Sequence, residues 1–338
     1  MFNNSQFLRD GSAELITPIY YHQTLQKDTG ITHAVHGDFT GTQMGEFAVS
    51  TGRWLKLIKF YWETKNFQTI ACLNTFSHIC SIKTLWLERQ KKDLLVVLTD
   101  LGVLSILTYE EERRAFEVVL KETLPRSQRN RIVGQHLAVC SQAIMIGAIE
   151  AVKYIFALKF TSDGSISIRK QWTFSDNNLI FDMVALGTSG PNLAHCIFAC
   201  LESTYVLEIT RSESLFLEHR ANLLISVPHR SGVFICSENY VAYHKWPSSQ
   251  LNQCPIPKRL TNSKEDVIIA CSAVCFGDDK LYILAQSEQG DIFKIIFLED
   301  KSEVKEIVLE YFDTIPVASS LCIIKTTHLF AASEFGNQ

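Results

Sequence analysis

A hairpin pattern returns seven times along this chain, and its spacing constrains the fold more than any other feature. A short apolar run ends in a small or polar residue, a turn follows, and a second apolar run begins. The first copy is Phe47-Ala48-Val49-Ser50, a turn at Thr51-Gly52-Arg53, then Trp54 to Ile58. The second runs from Val96 to Thr99, turns at Asp100-Leu101-Gly102 and resumes at Val103 to Leu107. Later copies pair Ile144–Gly147 with Tyr154–Phe156, Ile197–Cys200 with Tyr205–Leu207, Phe234–Ser237 with Tyr240–Tyr243, and Ile283–Gln286 with Ile292–Ile295. The seventh begins at Phe330 to Ser333, and the sequence stops five residues later. Paired β-rich runs around Gly, Asn or Asp turns are hairpin signals.

Equivalent positions fall at 50, 99, 147, 200, 237, 286 and 333, with gaps of 49, 48, 53, 37, 49 and 47. A repeat of roughly 47 residues is the length of a four-stranded propeller blade. One blade leaves both faces bare, whereas neighbours stacked in a ring cover each other and leave only short edges. The expectation is therefore an all-β, seven-bladed, WD40-like β-propeller with its last blade incomplete, because the seventh copy lacks its second strand. Residues 1–19 read as an N-terminal extension and 20–338 as one first propeller, truncated in its seventh blade, with no boundary inside it. Glu110 to Lys121 is the strongest helical candidate and reads equally as a charged hairpin end.

Composition narrows the function. The net charge of −4 and pI near 6.2 do not give the basic balance of a protein that tracks nucleic acid over its whole surface. No run approaches the roughly 18 apolar residues of a membrane span. The polar opening from Met1 to Asp10 lacks the apolar segment of a secretory signal. Ten cysteines, several inside apolar runs such as Cys200, Cys236 and Cys271, fit free thiols in a reducing compartment.

Catalytic constellations are missing from the pattern. There is no phosphate-binding glycine loop, nucleophile elbow or paired-histidine zinc motif. Gly37, Gly41 and Gly45 read as turn glycines. Cys196/Cys200 and Cys271/Cys275 are spaced to share one strand face, which makes them core fillers rather than zinc ligands. His33, His36 and His195 read as hydrogen-bonded structural groups. The run from Glu110 to Arg114 reads as a solvated hairpin tip. Arg126, Arg129 and Arg131 form the most basic stretch, which reads as a solvated loop in preference to a nucleic-acid contact. No catalytic, cofactor or metal residue is expected.

Several longer stretches carry a resemblance. They are Thr29 to Gly41, Arg131 to Val139, Gly232 to Tyr240, Cys254 to Arg259, Ala285 to Ile295, Tyr311 to Ala318 and Ala332 to Asn337. In order along roughly residues 20–338, they resemble the splicing factor 3b subunit 3 branch of a family of three-propeller scaffolds. Other branches are the large subunit of cleavage and polyadenylation specificity factor and the damage-specific DNA-binding adaptor of cullin ubiquitin ligases. The resemblance departs between about 150 and 220, where this chain is more compact, so contacts made by those loops are not carried over.

The resemblance implies a non-catalytic nuclear scaffold of the U2 snRNP acting in pre-mRNA splicing. Its implied partners are the HEAT-repeat subunit and the small helical subunit of splicing factor 3b, with pre-mRNA and snRNA touched at most indirectly and no membrane. Arg126, Arg129, Arg131, Lys258 and Arg259 are the expected interaction surface. The competing readings are a cullin-ligase adaptor, a subunit of the 3′-end cleavage machinery, and an enzyme working from a propeller funnel. The last would need convergent carboxylates or a metal at the blade ends, and the turns are too varied to supply them.

Overall fold

The computed structural model describes residues 29–42, 45–86, 91–124, 136–140, 143–147, 151–161, 165–176, 180–186, 195–200, 204–207, 212–215, 221–227, 232–245, 251–260, 265–277, 280–300, 303–324 and 327–335. Among these there is no helix beyond a single helical turn residue at Leu260, and the strands are all antiparallel.

Six sheets have four strands each, paired in chain order. Sheet 1 holds β1 (His33–Gly37), β2 (Glu46–Thr51), β3 (Trp54–Tyr61) and β4 (Asn66–Asn74). Sheet 2 holds β5 (Ile79–Leu85), β6 (Leu94–Thr99), β7 (Val103–Glu110) and β8 (Ala115–Thr123). Sheet 3 holds β9 (His136–Cys140), β10 (Ala143–Gly147), β11 (Ala151–Phe160) and β12 (Ile166–Asp176). Sheet 4 holds β13 (Ile180–Leu186), β14 (His195–Cys200), β15 (Thr204–Leu207) and β16 (Ser212–Leu215). Sheet 5 holds β17 (Leu223–Ser226), β18 (Gly232–Ser237), β19 (Tyr240–Lys245) and β20 (Leu251–Pro255). Sheet 6 holds β21 (Ile269–Gly277), β22 (Lys280–Ser287), β23 (Asp291–Asp300) and β24 (Glu303–Thr314). A seventh, two-stranded sheet pairs β25 (Ser320–Ile324) with β26 (His328–Ala332).

The hairpins read from the sequence are the two middle strands of the six four-stranded sheets. The residues expected to end their first arms, from Ser50 to Gln286, all lie at or next to the end of the second strand. The structure adds a strand on each side of these six hairpins, and the seventh copy, at Phe330, is β26, paired with β25. Glu110 to Lys121 is a hairpin end and not a helix: β7 closes at Glu110, a turn spans 111–114, and β8 leaves at Ala115. Among the three spaced glycines, Gly41 and Gly45 have positive φ. Gly37 instead ends β1, where an added Cβ would lie 2.8 Å from the Phe39 ring.

The continuous apolar runs follow from burial on both faces. All six residues of β6 are buried. Leu94, Val96 and Leu98 pack with Ile144 and Ile146 of sheet 3, whereas Leu95 and Val97 pack with Leu55 and Leu57 of sheet 1. One alternating strand thus feeds two cores. Cores of the same kind lie between sheets 5 and 6, around Phe234 and Ile295, and between sheets 6 and 7, around Ala273 and Leu321.

First strands touch first strands in sequence: β1 to β5, β5 to β9, β9 to β13, β13 to β17, β17 to β21, and β21 to β25. β25 then meets β1. Phe47 of β2 stacks on Phe330 of β26 at 4.5 Å between ring centres, and Val49, Cys322 and Ile324 fill the space beside them.

Candidate interaction surface

Antiparallel order fixes which loops share an end. The turns between second and third strands lie at the same end as the connections from each fourth strand to the next sheet. Backbone bonds stitch this end together. Thr75 N–H donates to Arg53 O and Ile79 N–H to Gly52 O, both at 3.0 Å. Asp100 N–H donates to His78 O, Asn239 N–H to Val267 O, and Ile256 N–H to Asn239 O. Ile315 N–H donates to Gly290 O, and Ile31 N–H to Ser333 O. The turns named here are therefore fastened to connecting segments beside them, a rigid base for exposed loop tips.

Lys258 and Arg259 stand on the connection between sheets 5 and 6, at this end. Arg259 is bidentate on Asp291, with Nε donating to Oδ2 at 2.7 Å and Nη2 to Oδ1 at 2.6 Å, and Nη2 also reaches Gln289 O at 3.2 Å. Thr314 Oγ1 donates to Asp291 Oδ1 at 2.6 Å. The Arg259 bonds, helped by Thr314, hold the Asp291 carboxyl below its usual range against the effect of burial. Lys258 Nζ is 3.9 Å from Asp266 Oδ1. Arg126, Arg129 and Arg131 lie outside the described residues.

The turn Ser287–Gly290 is anchored from below by Gln286, whose side chain is fully buried. Its Nε2 donates to the carbonyls of Gly290, Ile315 and Pro316, and its Oε1 accepts from Ala318 N–H at 2.8 Å. Gln286 was legible only as a hairpin end; its role as a tie between sheets 6 and 7 depends on contacts distant in sequence.

Apolar side chains project from the same end. Leu260 is 99% exposed, Phe76 85% and Phe335 77%, with Leu101 and Val317 more than a third exposed. Phe76 has φ of 59°, a left-handed conformation uncommon for a bulky residue. Its N–H is held by Asn74 Oδ1 at 2.9 Å, and Thr75 Oγ1 bonds Arg53 O and Ser77 O on either side. The clue available in the sequence was an isolated aromatic or aliphatic residue inside a polar turn, as in Thr75-Phe76-Ser77 and Glu334-Phe335-Gly336.

The first strands carry a second polar group. Burial is the main force that lowers His33 to about 4, and Lys83 adds to it. His33 Nδ1 lies 3.1 Å from Thr32 Oγ1 and 3.2 Å from Ser50 Oγ, the structural role expected of it. His36 is also lowered by burial and sits beside Phe47. Asp182 of β13 is raised by burial, opposed by Lys83 and by the N–H groups of Leu224 and Met183, both 2.8 Å from its oxygens. His136 of β9 is lowered by burial, with Asp182 opposing. Of these groups, Asp182 ties sheet 4 to sheet 5 through the Leu224 N–H.

Cys236, Cys271, Cys275 and Cys322 are buried free thiols, and Cys72 is an exposed one. The side chains of His195, Cys196 and Cys200 lie outside the described residues. Among the described residues, no group of three or more His, Cys, Asp or Glu side chains is placed to hold a metal ion, and no helix is long and apolar enough to cross a membrane.

Residues 30–338 match the family model of the RSE1/DDB1/CPSF1 first beta-propeller. The chain is similar to splicing factor 3B subunit 3 of Danio rerio and of Drosophila melanogaster, 36% identical to each over 94% of this chain and 29% of the relative. It is 34% identical, over the same shares, to spliceosome-associated protein 130 A of Arabidopsis thaliana. The chain thus spans less than a third of the length of these relatives.

Proposed function

The chain belongs to the RSE1/DDB1/CPSF1 first β-propeller family, and from that premise we propose that it is a non-catalytic propeller scaffold of pre-mRNA splicing. The observation that carries the reading is similarity to splicing factors along 94% of the chain, at 36% identity in two of them. The seven sheets are read as seven blades of one ring, the cyclic contacts of the first strands supporting this, with two strands of the seventh among the described residues. Residues 20–338 form this propeller and 1–19 precede it.

The mechanism is binding by rigid loops, not bond chemistry. Charged side chains such as Arg259, Asp291 and Asp182 serve structural bonds, which suits a frame that holds others. The scaffold acts in the nucleus within the U2 snRNP. It binds the HEAT-repeat and small helical subunits of splicing factor 3b through surfaces that include Lys258 and Arg259, with Arg126, Arg129 and Arg131 as further contacts.

Co-purification from nuclear extract with the tagged 338-residue chain tests this. Recovery of splicing factor 3b subunits is the expected result. Recovery of a cullin, or of the 3′-end cleavage machinery, without them would replace the splicing reading by that of another branch.

A further inference from the structure

We propose that a cavity at the opposite end of sheets 1 and 2 binds the free C-terminal carboxylate of a polypeptide whose last residue is aliphatic. The proposal rests on the scaffold reading and adds a site away from Lys258 and Arg259, with the chemistry of its partner.

The cavity holds about 380 Å³, within the roughly 300–1,000 Å³ of ligand pockets. Gly41, on the turn between β1 and β2, lines one part of it with Lys91 and Lys92, on the turn between β5 and β6. Leu94 of β6, Thr108 of β7 and Val119 of β8 line another. Two carboxylates hold these turns. Glu46 is fully buried and accepts from Thr40 N–H at 2.8 Å and from the hydroxyls of Thr40 and Thr42, with Lys59 Nζ 3.5 Å away. Asp93 Oδ2 accepts from Asp38 N–H at 2.8 Å, and Asp93 N–H donates to Asp38 O at the same distance. The two turns are therefore fixed to each other and to β2 before any ligand arrives, which lowers the ordering cost of binding.

The lining selects the ligand. Among the described residues, the charged ones that line the cavity are Lys91 and Lys92. Lys92 Nζ donates to Tyr109 O at 2.6 Å, a neutral partner that leaves its charge unmatched. Lys91 is exposed and has no ion-pair partner among the described residues. Residues 43–44 and 87–90 of these turns lie outside the described ones and hold one glutamate and one arginine, no net charge. Two ammonium groups favour an anion, and Leu94 and Val119 favour an aliphatic group attached to it. A C-terminal valine or leucine offers both within this volume. Its carboxylate also suits the N–H of Gly41, at φ 76°, which no described acceptor takes. A nucleic-acid phosphate carries no aliphatic group to fill the space beside Leu94 and Val119.

The test uses fluorescence anisotropy with the 338-residue chain and four labelled hexapeptides: one ending in a free valine carboxylate, its C-terminal amide, one ending in a free glycine carboxylate, and the amide carrying an internal phosphoserine. The valine acid is expected to bind at least tenfold more tightly than each of the others. Lys91→Glu should weaken its binding at least tenfold, and Thr108→Trp, which fills the cavity, should abolish it. Arg53→Glu, a charge reversal at the other end of sheet 1, should leave it unchanged. Melting temperatures show whether the variants fold, and the comparison of acid with amide uses the unaltered chain. No binding of the valine acid, equal binding of the amide or the glycine acid, preference for the phosphoserine peptide, or undiminished binding in Lys91→Glu would overturn the proposal. The scaffold reading is scored separately: a chain that recovers splicing factor 3b subunits yet ignores the valine acid sinks only this inference.

Discussion

Ser319 donates its hydroxyl to the carbonyl oxygen of Ile31 at 2.6 Å across 288 residues of sequence. The same hydroxyl also reaches Ala332 O at 3.2 Å, and Ala34 N–H donates to Ser320 Oγ at 3.1 Å. Sheets 7 and 1 are thus joined through first strands, and the Phe47–Phe330 stack lies beside that seam. Contacts so distant in sequence carry a large closure cost, so they hold only when the sheets between them are formed.

The seam gives the first prediction. Phe330→Ala removes a ring in contact with both Phe47 and Phe67. We expect a loss of about 2–4 kcal/mol, somewhat below the roughly 3–5 kcal/mol of a fully buried phenylalanine because this ring is half-buried. Urea unfolding checks it. A change below about 0.5 kcal/mol would mean that the seam between sheets 7 and 1 contributes little.

Gln286→Leu keeps the volume and deletes the amide. It strands the buried Ala318 N–H and deprives three carbonyls of a donor. At about 1–3 kcal/mol for each buried group left unpaired, the expected loss is about 2–4 kcal/mol after partial rescue by water. Hydrogen exchange should show new opening confined to 287–290 and 315–319. Uniform exchange throughout the chain would count against a local tie.

Acid should unfold the chain partly through His33. Its folded value is near 4 and its unfolded value about 6.5, so the unfolded chain takes up the proton first as pH falls. The stabilisation is complete above pH 6.5, declines between 6.5 and about 4, and is absent below. The full swing is about 3 kcal/mol by linkage. His33→Asn should flatten that part of the stability profile, measured by urea midpoints from pH 4 to pH 7. A slope identical to that of the parent chain would remove His33 from the account.

Thiol reactivity should follow burial. Cys72 is exposed, whereas burial pushes Cys271 and Cys322 up to about 12 and raises Cys236 as well. The thiolate is the reactive form. Alkylation resolved by mass spectrometry should label Cys72 within minutes and these three only on unfolding. Rapid labelling of Cys236 in the native chain would contradict the packing of sheet 5.

How much of this was legible in the sequence depends on how local the signal was. The middle hairpins were readable because each runs over few residues with a turn between, as at Thr51–Trp54 and Ser237–Tyr240. The first and fourth strands were less so. β4 and β8 face outward, and the exposed and half-exposed residues of Asn66–Asn74 blur the apolar pattern. Lys258 and Arg259 were singled out as cations, but a sequence does not show that Asp291, 32 positions away, takes the guanidinium. Nor does it show that Phe76 adopts positive φ. Neighbours brought together by the ring decide both.

Gly290 supplies the last prediction, because backbone geometry alone sets its outcome. Its φ is 90°, and an added Cβ would lie 2.5 Å from the carbonyl oxygen of Ile315. That carbonyl is not free to retreat, since it accepts from Gln286 Nε2 and its own residue's N–H is bonded to Gly290 O. Gly290→Ala therefore combines left-handed strain of about 1–2 kcal/mol with a backbone clash. The total should exceed the loss from Gly52→Ala, where φ is also positive at 63°. Gly290→Ala should also pull Arg259 off Asp291, because the turn that carries Gln289 and Asp291 must shift. Urea midpoints rank the two variants, and the pH titration of Asp291 by NMR reads the second effect. Its carboxyl should move upward toward the ordinary range in Gly290→Ala. A variant as stable as Gly52→Ala, with Asp291 still held low, would show that the turn can absorb a side chain and that the Gln286–Gly290–Ile315 unit is not rigid.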